Sequence, residues 1–172
     1  MRDKPGKQFK RASSKVFTGE FKPHVFPEGF CLVIDTREQL PLFEKMPKGL
    51  VVKRDTLKDG DYSIMGMEGV FAVERKGMSD FLAYISHERQ KTVEKMKRLS
   101  TFGFAALIVE VDEDELYHGS MYSKVGAEVI RAAILSFQVR YGVHVYITDD
   151  RKKIERVLLD WAIKFWNVRK EA

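Results

Sequence analysis

Two short motifs, Gly-Asp-Tyr at residues 60–62 and Val-Glu-Arg-Lys at residues 73–76, most limit what this chain can fold into. The second motif ends an apolar run that predicts a strand. Because side chains alternate faces along a strand, Glu74 and Lys76 point to one face and the arginine between them points to the other. If Asp61 pairs alongside, two carboxylates and one ammonium group meet on one face. Such a set can hold a hard divalent cation beside a phosphate, as a metal-dependent phosphodiesterase requires.

Length and composition are those of one globular domain. The chain has 172 residues, of which 44% are hydrophobic and 32% charged, enough for a real core. Its formal net charge is +5, and its pI is about 9.2. This excess favours a polyanionic partner, but many basic proteins bind no nucleic acid, so charge alone leaves the partner open.

The single cysteine, Cys31, excludes both a disulfide framework and a cysteine-based zinc site. Its place in an apolar run predicts a small buried side chain. No stretch reaches the apolar length of a membrane span, and no secretory leader opens the sequence. We therefore expect an intracellular protein, cytoplasmic or in the nucleoid or nucleus, that does not associate with membranes.

Apolar runs bounded by turn residues predict strands, and 3.6-residue periodicity predicts helices. Predicted strands lie at residues 30–34, 50–57, 62–65, 70–74, 105–111 and 143–148, with the third and fourth joined as a hairpin. Predicted helices span residues 79–85, 89–101, 124–141 and 152–169, and residues 112–115 are predicted as an acidic loop. Ser79 is the expected cap of the first helix, and Gly142 the stop of the third. This order requires helices on both faces of one mixed sheet, an α/β fold.

Residues 1–28 differ from the rest of the chain, since lysines and arginines recur there without periodicity. We predict a flexible basic arm, followed by one domain over residues 29–172. The arm is either a set of additional phosphate contacts or a solvated tail, and the sequence favours neither.

The two C-terminal helices carry apolar residues on two opposite sides, whereas a surface helix needs only one apolar face. Two such faces indicate burial on both sides, within the monomer or against a partner. Because a short chain has little material to cover both helices twice, we predict a homodimer through residues 124–141 and 152–169. The paired stripes are Ile154, Leu158, Trp161 and Phe165 against Leu159, Ile163 and Trp166, and Ile130, Ile134, Phe137 and Tyr141 against Ala132, Leu135 and Val139.

Three blocks of residues together resemble a known family signature: D-x-R-E after a strand, then G-D-Y, then E-R-K-x-x-x-D. They are intact and in order at residues 35–38, 60–62 and 74–80. On these blocks the chain resembles the nuclease domain of the XPF/Hef-type structure-specific DNA endonucleases, over roughly residues 30–168. Segment 86–90 only loosely follows the family's glycine-arginine segment. The tandem helix-hairpin-helix motifs of many members do not occur in this sequence, which leaves junction specificity open.

The resemblance implies a restriction-endonuclease-like fold, with a central mixed β-sheet flanked by helices on both faces. It also implies cleavage of one strand of branched, flapped or forked DNA with Mg²⁺ or Mn²⁺. Asp61 and Glu74 would be the main metal ligands, with Asp35 close by. Lys76 would orient or activate the attacking water, or stabilise charge on the phosphate. The family's other active-site positions are here Arg37, Glu38, Arg75 and Asp80.

Several of these residues also have a structural interpretation. Glu74 and Lys76 could form an ion pair only, and Asp80 could complement a helix dipole. Arg75, on the opposite face of its strand, could brace Glu38 or Asp80. Arg37 could be a surface loop residue.

The sequence thus predicts a magnesium-dependent DNA endonuclease. A basic helix would contact DNA phosphates without reading bases, through Lys91, Lys95, Lys97 and Arg98. The first alternative is a non-catalytic DNA-binding or scaffold subunit of a nuclease complex, although such degenerate copies lose the carboxylates or lysine retained here. The second is an RNA-directed nuclease, because nothing in the sequence reads the sugar hydroxyl.

Overall fold

Six strands and five α-helices build the part of the chain that the computed structural model describes, residues 21–118 and 124–171. The elements are β1 (Leu32–Asp35), β2 (Val52–Asp55), β3 (Tyr62–Ile64), β4 (Phe71–Gly77), α1 (Met78–Ile85), α2 (Arg89–Leu99), β5 (Phe104–Glu110), α3 (Glu113–His118), α4 (Ala127–Leu135), β6 (His144–Ile147) and α5 (Arg151–Glu171). A π-helical turn, Ser136–Arg140, extends α4. It ends just before Gly142, whose φ of +64° confirms the predicted stop.

All six strands form one mixed sheet in the order β2-β1-β3-β4-β5-β6. Strand β3 is antiparallel to both β1 and β4, and the β3–β4 pair is the predicted hairpin. The other neighbours, β1–β2, β4–β5 and β5–β6, are parallel. The edge strands differ, since β2 exposes Lys53, Arg54 and Asp55 in succession, whereas β6 exposes only His144 fully.

Helices cover both faces of this sheet, as predicted. On one face α5 packs over side chains that include Leu32, Ile34 and Ile108. On the other face α1, α2, α3 and α4 pack over side chains that include Leu107 and Val109. Strand β5 is therefore buried on both sides, which explains its continuous apolar sequence.

Two predicted features at helix starts are wrong. The acidic segment 112–115 is not a loop, because Asp112 begins α3 by accepting the N–H of Glu115 at 2.9 Å. Three acids in the first turn of α3 favour the helix dipole, and Leu116 anchors the helix in the core. Ser79 is not a cap either: α1 begins at Met78 after Gly77, with no side-chain cap.

The two apolar sides of α5 are both covered within the chain. The sheet buries Leu158, and the segment before β1 covers Trp166, where Phe30 meets the indole edge-on at 5.8 Å. Residues 21–28, assigned to the arm from sequence, also lie against α5, with His24 2.8 Å from Asp160 and Phe26 on the core. The rest of the predicted arm, residues 1–20, lies outside the described residues. The expectation that this chain lacks material to cover α5 twice is therefore wrong.

Helix α4 differs from α5, because one of its sides stays exposed. Ile130, Ile134 and Phe137 are buried, whereas Leu135 is 47% and Val139 84% exposed. Across residues 21–118 and 124–171, no helix combines the length and apolar character needed to cross a membrane.

Candidate active site

Glu74 on β4 is the centre of a cluster of four side chains. Its carboxylate is 2% exposed, and Lys76 Nζ lies 2.9 Å from Oε1. Lys95 of α2 places its Nζ 2.5 Å from Oε2, and the hydroxyl of Tyr84 on α1 donates to Oε1 at 3.2 Å. Glu74 and Lys76 share a face of β4 and Arg75 points to the other, as the alternation predicted.

Charge pairing keeps this cluster ionised. Burial by itself raises the pKa of Glu74, but the charges of Lys95 and Lys76 outweigh it and hold the pKa below its usual value. Burial by itself lowers the pKa of Lys76. The negative charges of Glu74, Asp61 and Asp80 outweigh this effect, so the pKa of Lys76 lies above its usual value. Glu74 is therefore a carboxylate at neutral pH, and Lys76 an ammonium group.

A glycine turn brings Asp61 against β4. Gly60 has a φ of +85°, and a Cβ there would lie 3.1 Å from the Cβ of Ala72 and 3.2 Å from the carbonyl oxygen of Val73. The N–H of Asp61 donates to that carbonyl at 2.9 Å, and Asp61 Oδ2 accepts the N–H of Arg75 at 2.7 Å. Only glycine fits this close turn, which explains its place in the Gly-Asp-Tyr motif.

Asp61 and Glu74 are close enough to repel each other. Burial, and then the negative charge of Glu74, raise the pKa of Asp61 to about 6, against the weaker effects of the Arg75 N–H and of Lys76. Both acids are predicted metal ligands. An ionised Asp61 beside Glu74 in a poorly hydrated site is stabilised by any cation that binds between them.

Asp35, the third predicted ligand, is saturated by protein donors. Oδ1 accepts the backbone N–H of Arg37 at 2.7 Å and its Nε at 2.8 Å. Oδ2 accepts Nη2 of Arg37 at 2.9 Å and the N–H of Leu57 at 2.7 Å. The hydrogen bond from the Arg37 side chain is the main reason why the pKa of Asp35 lies well below its usual range. Since a carboxylate has about four lone-pair sites, a cation that bound Asp35 would have to replace one of these donors, and its role as a metal ligand stays a prediction.

Arg75 ties three segments together on the opposite face of β4. Its Nη2 contacts Glu38 Oε1 at 3.0 Å and the carbonyl oxygen of Leu40 at 2.7 Å, and its Nη1 pairs with Glu110. The predicted bracing of Glu38 is confirmed, but Asp80 is not its partner. Sequence reasoning missed Glu110, although it ends β5 in register with Gly77.

Asp80 is exposed in the first turn of α1, and its negative charge helps to raise the pKa of Lys76. Its place among the active-site residues stays a prediction.

The predicted DNA-contacting residues of α2 divide into two pairs. Lys91 and Lys97 are exposed, as predicted. Lys95 instead pairs with Glu74, and Arg98 Nη2 lies 2.9 Å from Oδ1 of Asp59, an acid 3% exposed. These two cations neutralise buried acids, and a DNA contact through either of them stays a prediction. A signal for Lys95 existed in the sequence: it falls three residues after Thr92 and four before Leu99, on the buried side of α2.

The donor chemistry fits a hard divalent cation through two carboxylates. Asp61 and Glu74 supply oxygen, which Mg²⁺ and Mn²⁺ prefer, and their mutual repulsion favours a cation. Within the described ranges no group of three or more His, Cys, Asp or Glu side chains could enclose a metal. Protein-bound Mg²⁺ commonly uses one or two carboxylates and completes its shell with water or substrate oxygens, so two acids suffice.

Comparison with known families agrees with this geometry. The ERCC4 domain matches residues 34–160, a span that includes Asp35, the glycine turn, the Glu74 cluster and the first part of α5. The chain belongs to the ERCC4-domain family. This membership confirms the XPF-type nuclease family predicted from the three motifs. No curated protein sequence is significantly similar to the chain.

Solved structures of ERCC4-domain proteins share the fold. XPF from Aeropyrum pernix is 24% identical, with a TM-score of 0.58 over 77% of this chain and 59% of that one. XPF from the same organism in complex with DNA is 25% identical, with a TM-score of 0.59 over 77% of this chain and 62% of that one. The ERCC4-domain chain thus spans about three-fifths of these relatives. The predicted restriction-endonuclease-like α/β fold is confirmed.

Proposed function

We propose that this ERCC4-domain chain is a metal-dependent DNA endonuclease that hydrolyses phosphodiester bonds, in branched, flapped or forked DNA. One observation carries the proposal: the half-buried carboxylate of Asp61 and the buried one of Glu74 repel each other beside the ammonium group of Lys76. The family match and the DNA complex of XPF from Aeropyrum pernix support DNA as the substrate. The retained acids and lysine favour this function over a non-catalytic scaffold.

The residues divide the chemistry between them. Asp61 and Glu74 would hold Mg²⁺ or Mn²⁺, which, when bound, lowers the pKa of water and neutralises charge on the phosphate. Lys76 keeps its proton because its acidic neighbours raise its pKa, so it stabilises phosphate charge rather than acting as a base. Asp61, with a pKa of about 6, can exchange a proton near neutral pH while it carries no cation.

The direct test is incubation with labelled flap, fork, nicked and linear duplex DNA, with and without Mg²⁺. We expect cleavage of the branched substrates only when the metal is present. Asp61→Asn and Glu74→Gln should abolish cleavage and leave DNA binding nearly unchanged. Asp149→Asn, which alters an exposed acid far along the chain, is the matched control.

Three outcomes would contradict parts of the proposal. Cleavage at the native rate by Asp61→Asn or Glu74→Gln would show that these residues do not form the active site. DNA binding without cleavage of any substrate would favour the scaffold alternative. Equal cleavage of RNA would remove the substrate assignment.

We also propose a homodimer, now through α4 rather than through both C-terminal helices. Support comes from the exposed side of α4 and of the π-helical turn that extends it, where Val129, Leu135 and Val139 are 52%, 47% and 84% exposed. Sedimentation should show a dimer for the native protein and a monomer for Val139→Glu. Trp166→Glu is unsuitable as a test, because Trp166 is buried within the monomer. A monomeric native protein would refute the proposal.

A further inference from the structure

Both oxygens of Glu74 are already occupied by ammonium groups. Lys76, two residues along the same strand, takes Oε1, and Lys95 takes Oε2 from a different element, α2. The Lys95 side chain is 23% exposed, and Glu74 is its only ion-pair partner among the described residues. Any cation that uses Glu74 must therefore share or replace these contacts.

We propose that Lys95 is a positioning residue that holds Glu74 while no divalent cation is bound, and that the cation displaces it. This inference rests on the proposed function. Asp61 and Glu74 carry two negative charges when ionised, and Lys76 and Lys95 balance them. A divalent cation that binds while both ammonium groups are in place is repelled by them, because they already neutralise the two acids. Lys95 therefore weakens metal binding until it moves away.

Lys95 is the member of the pair that is able to leave. It approaches from a helix that carries exposed Lys91 and Lys97, whereas Lys76 is fixed beside Glu74 by the strand itself. Both ammonium groups lie near the Tyr84 ring, at 5.3 Å for Lys76 and 5.9 Å for Lys95. A lysine side chain is flexible and strongly hydrated, so Lys95 can swing toward solvent on the side where α2 presents its other lysines.

The displaced ammonium group would add to the cationic side of α2 and contact a DNA phosphate. DNA then favours the state in which Lys95 has left Glu74, and that state binds metal more tightly. By linkage, metal and DNA each strengthen the binding of the other. A nuclease built in this way holds its metal weakly until substrate is present.

The test measures metal binding without cleavage. Ca²⁺ is titrated calorimetrically into the native protein, Lys95→Met, and the control Lys97→Met, which removes an equal charge from an exposed position of α2. We expect Lys95→Met to bind Ca²⁺ at least about tenfold more tightly than the native protein. Lys97→Met should match the native protein, and Lys95→Arg, which keeps the charge, should remain weak.

A second measurement needs no variant. The ¹⁵Nζ resonance of Lys95, protected from exchange by its ion pair, should lose that protection as the native protein is saturated with Ca²⁺. Equal Ca²⁺ affinity of Lys95→Met and the native protein, or unchanged Nζ protection, would overturn this inference and leave the proposed function standing. Failure of every variant and of the native protein to bind Ca²⁺ would overturn both.

Discussion

Asp35 and Glu74 are almost equally inaccessible, at 1% and 2% exposure, but they are held in different ways. Asp35 is bound by the backbone and planar guanidinium of a residue two positions away and by the N–H of Leu57. Glu74 is bound by two flexible ammonium groups and a phenol, two of them from the helices above the sheet. Burial alone therefore does not show which kind of donor holds an acid.

The difference lies in what each set of donors does when a cation arrives. Two of the four donors of Asp35 are backbone N–H groups, which local chain geometry fixes, so this acid keeps those contacts. Ammonium groups are compact charges on long stems that water can solvate, so Glu74 can be released. The first acid shapes the loop after β1, and the second can exchange partners.

The largest expected effect is on stability. Asp35→Asn should lower the free energy of unfolding by about 3–5 kcal/mol, because a buried oxygen that accepts two hydrogen bonds becomes an NH2 group that accepts none. Glu74→Gln should lower it by about 1 kcal/mol, since Lys95 is able to reach water and the amide oxygen can still accept from Lys76. Urea denaturation at pH 7.5 measures both. Equal losses would show that Glu74 is as structural as Asp35.

The pH dependence of stability should carry opposite signs for two of the acids. The folded pKa of Asp61 is raised to about 6, so this group opposes folding as pH rises from about 4 to 7, by up to about 3 kcal/mol. The folded pKa of Asp35 is lowered, so its stabilisation is present above the unfolded pKa and is lost as pH falls through the folded value.

Asp61→Asn isolates the first of these effects. The amide still accepts the N–H of Arg75 but cannot ionise, so the variant should melt higher than the native protein at pH 7.5 and equally at pH 4. Melting temperatures in metal-free buffer across this range provide the measurement. A variant that is less stable at pH 7.5 would contradict the raised pKa.

A comparison of two glycines with similar φ values shows how far the position of Asp61 depends on the turn at Gly60. Gly60 and Gly66 have φ values of +85° and +80°, but only a Cβ at Gly60 would meet other atoms within 4 Å. Gly60→Ala should cost about 2 kcal/mol and impair cleavage, and Gly66→Ala about 1 kcal/mol without affecting it. Thermal melts and cleavage rates measure the two effects. Similar cleavage rates for both variants would show that catalysis does not depend on the turn at Gly60.

The smallest effect concerns the neutral donor to Glu74. Tyr84→Phe removes one hydrogen bond to the carboxylate and leaves the ring beside both lysines, so we expect a loss of about 1 kcal/mol in stability. Urea denaturation of Tyr84→Phe beside the native protein checks this. A loss as large as that of Asp35→Asn would mean that Tyr84, rather than the lysines, holds Glu74.

Local patterns predicted much of this molecule. Strand alternation placed Glu74 and Lys76 together and Arg75 apart, and turn chemistry gave the β3–β4 hairpin and the end of the π-helical turn at Gly142. These features depend on neighbours in sequence, where residue type and spacing decide the geometry.

Features that depend on distant segments were harder to predict. The Lys95–Glu74 pair joins residues 21 apart, and only the docking of α2 over the sheet brings them together. The covering of Trp166 by Phe30 spans almost the whole domain, so periodicity in α5 alone could not show it. At α3 a local signal existed, but the acids that favour its first turn are equally typical of a loop.

The difference in charge between the two edge strands, β2 and β6, has a consequence for handling the protein. A neighbouring sheet that approached β2 would have to desolvate Lys53, Arg54 and Asp55, which discourages cross-molecule strand addition there. Strand β6, His144–Ile147, carries no Lys, Arg, Asp or Glu, so aggregates and amyloid-like contacts should nucleate at that edge. Placing a lysine there is the simplest route to samples that stay clear at high concentration.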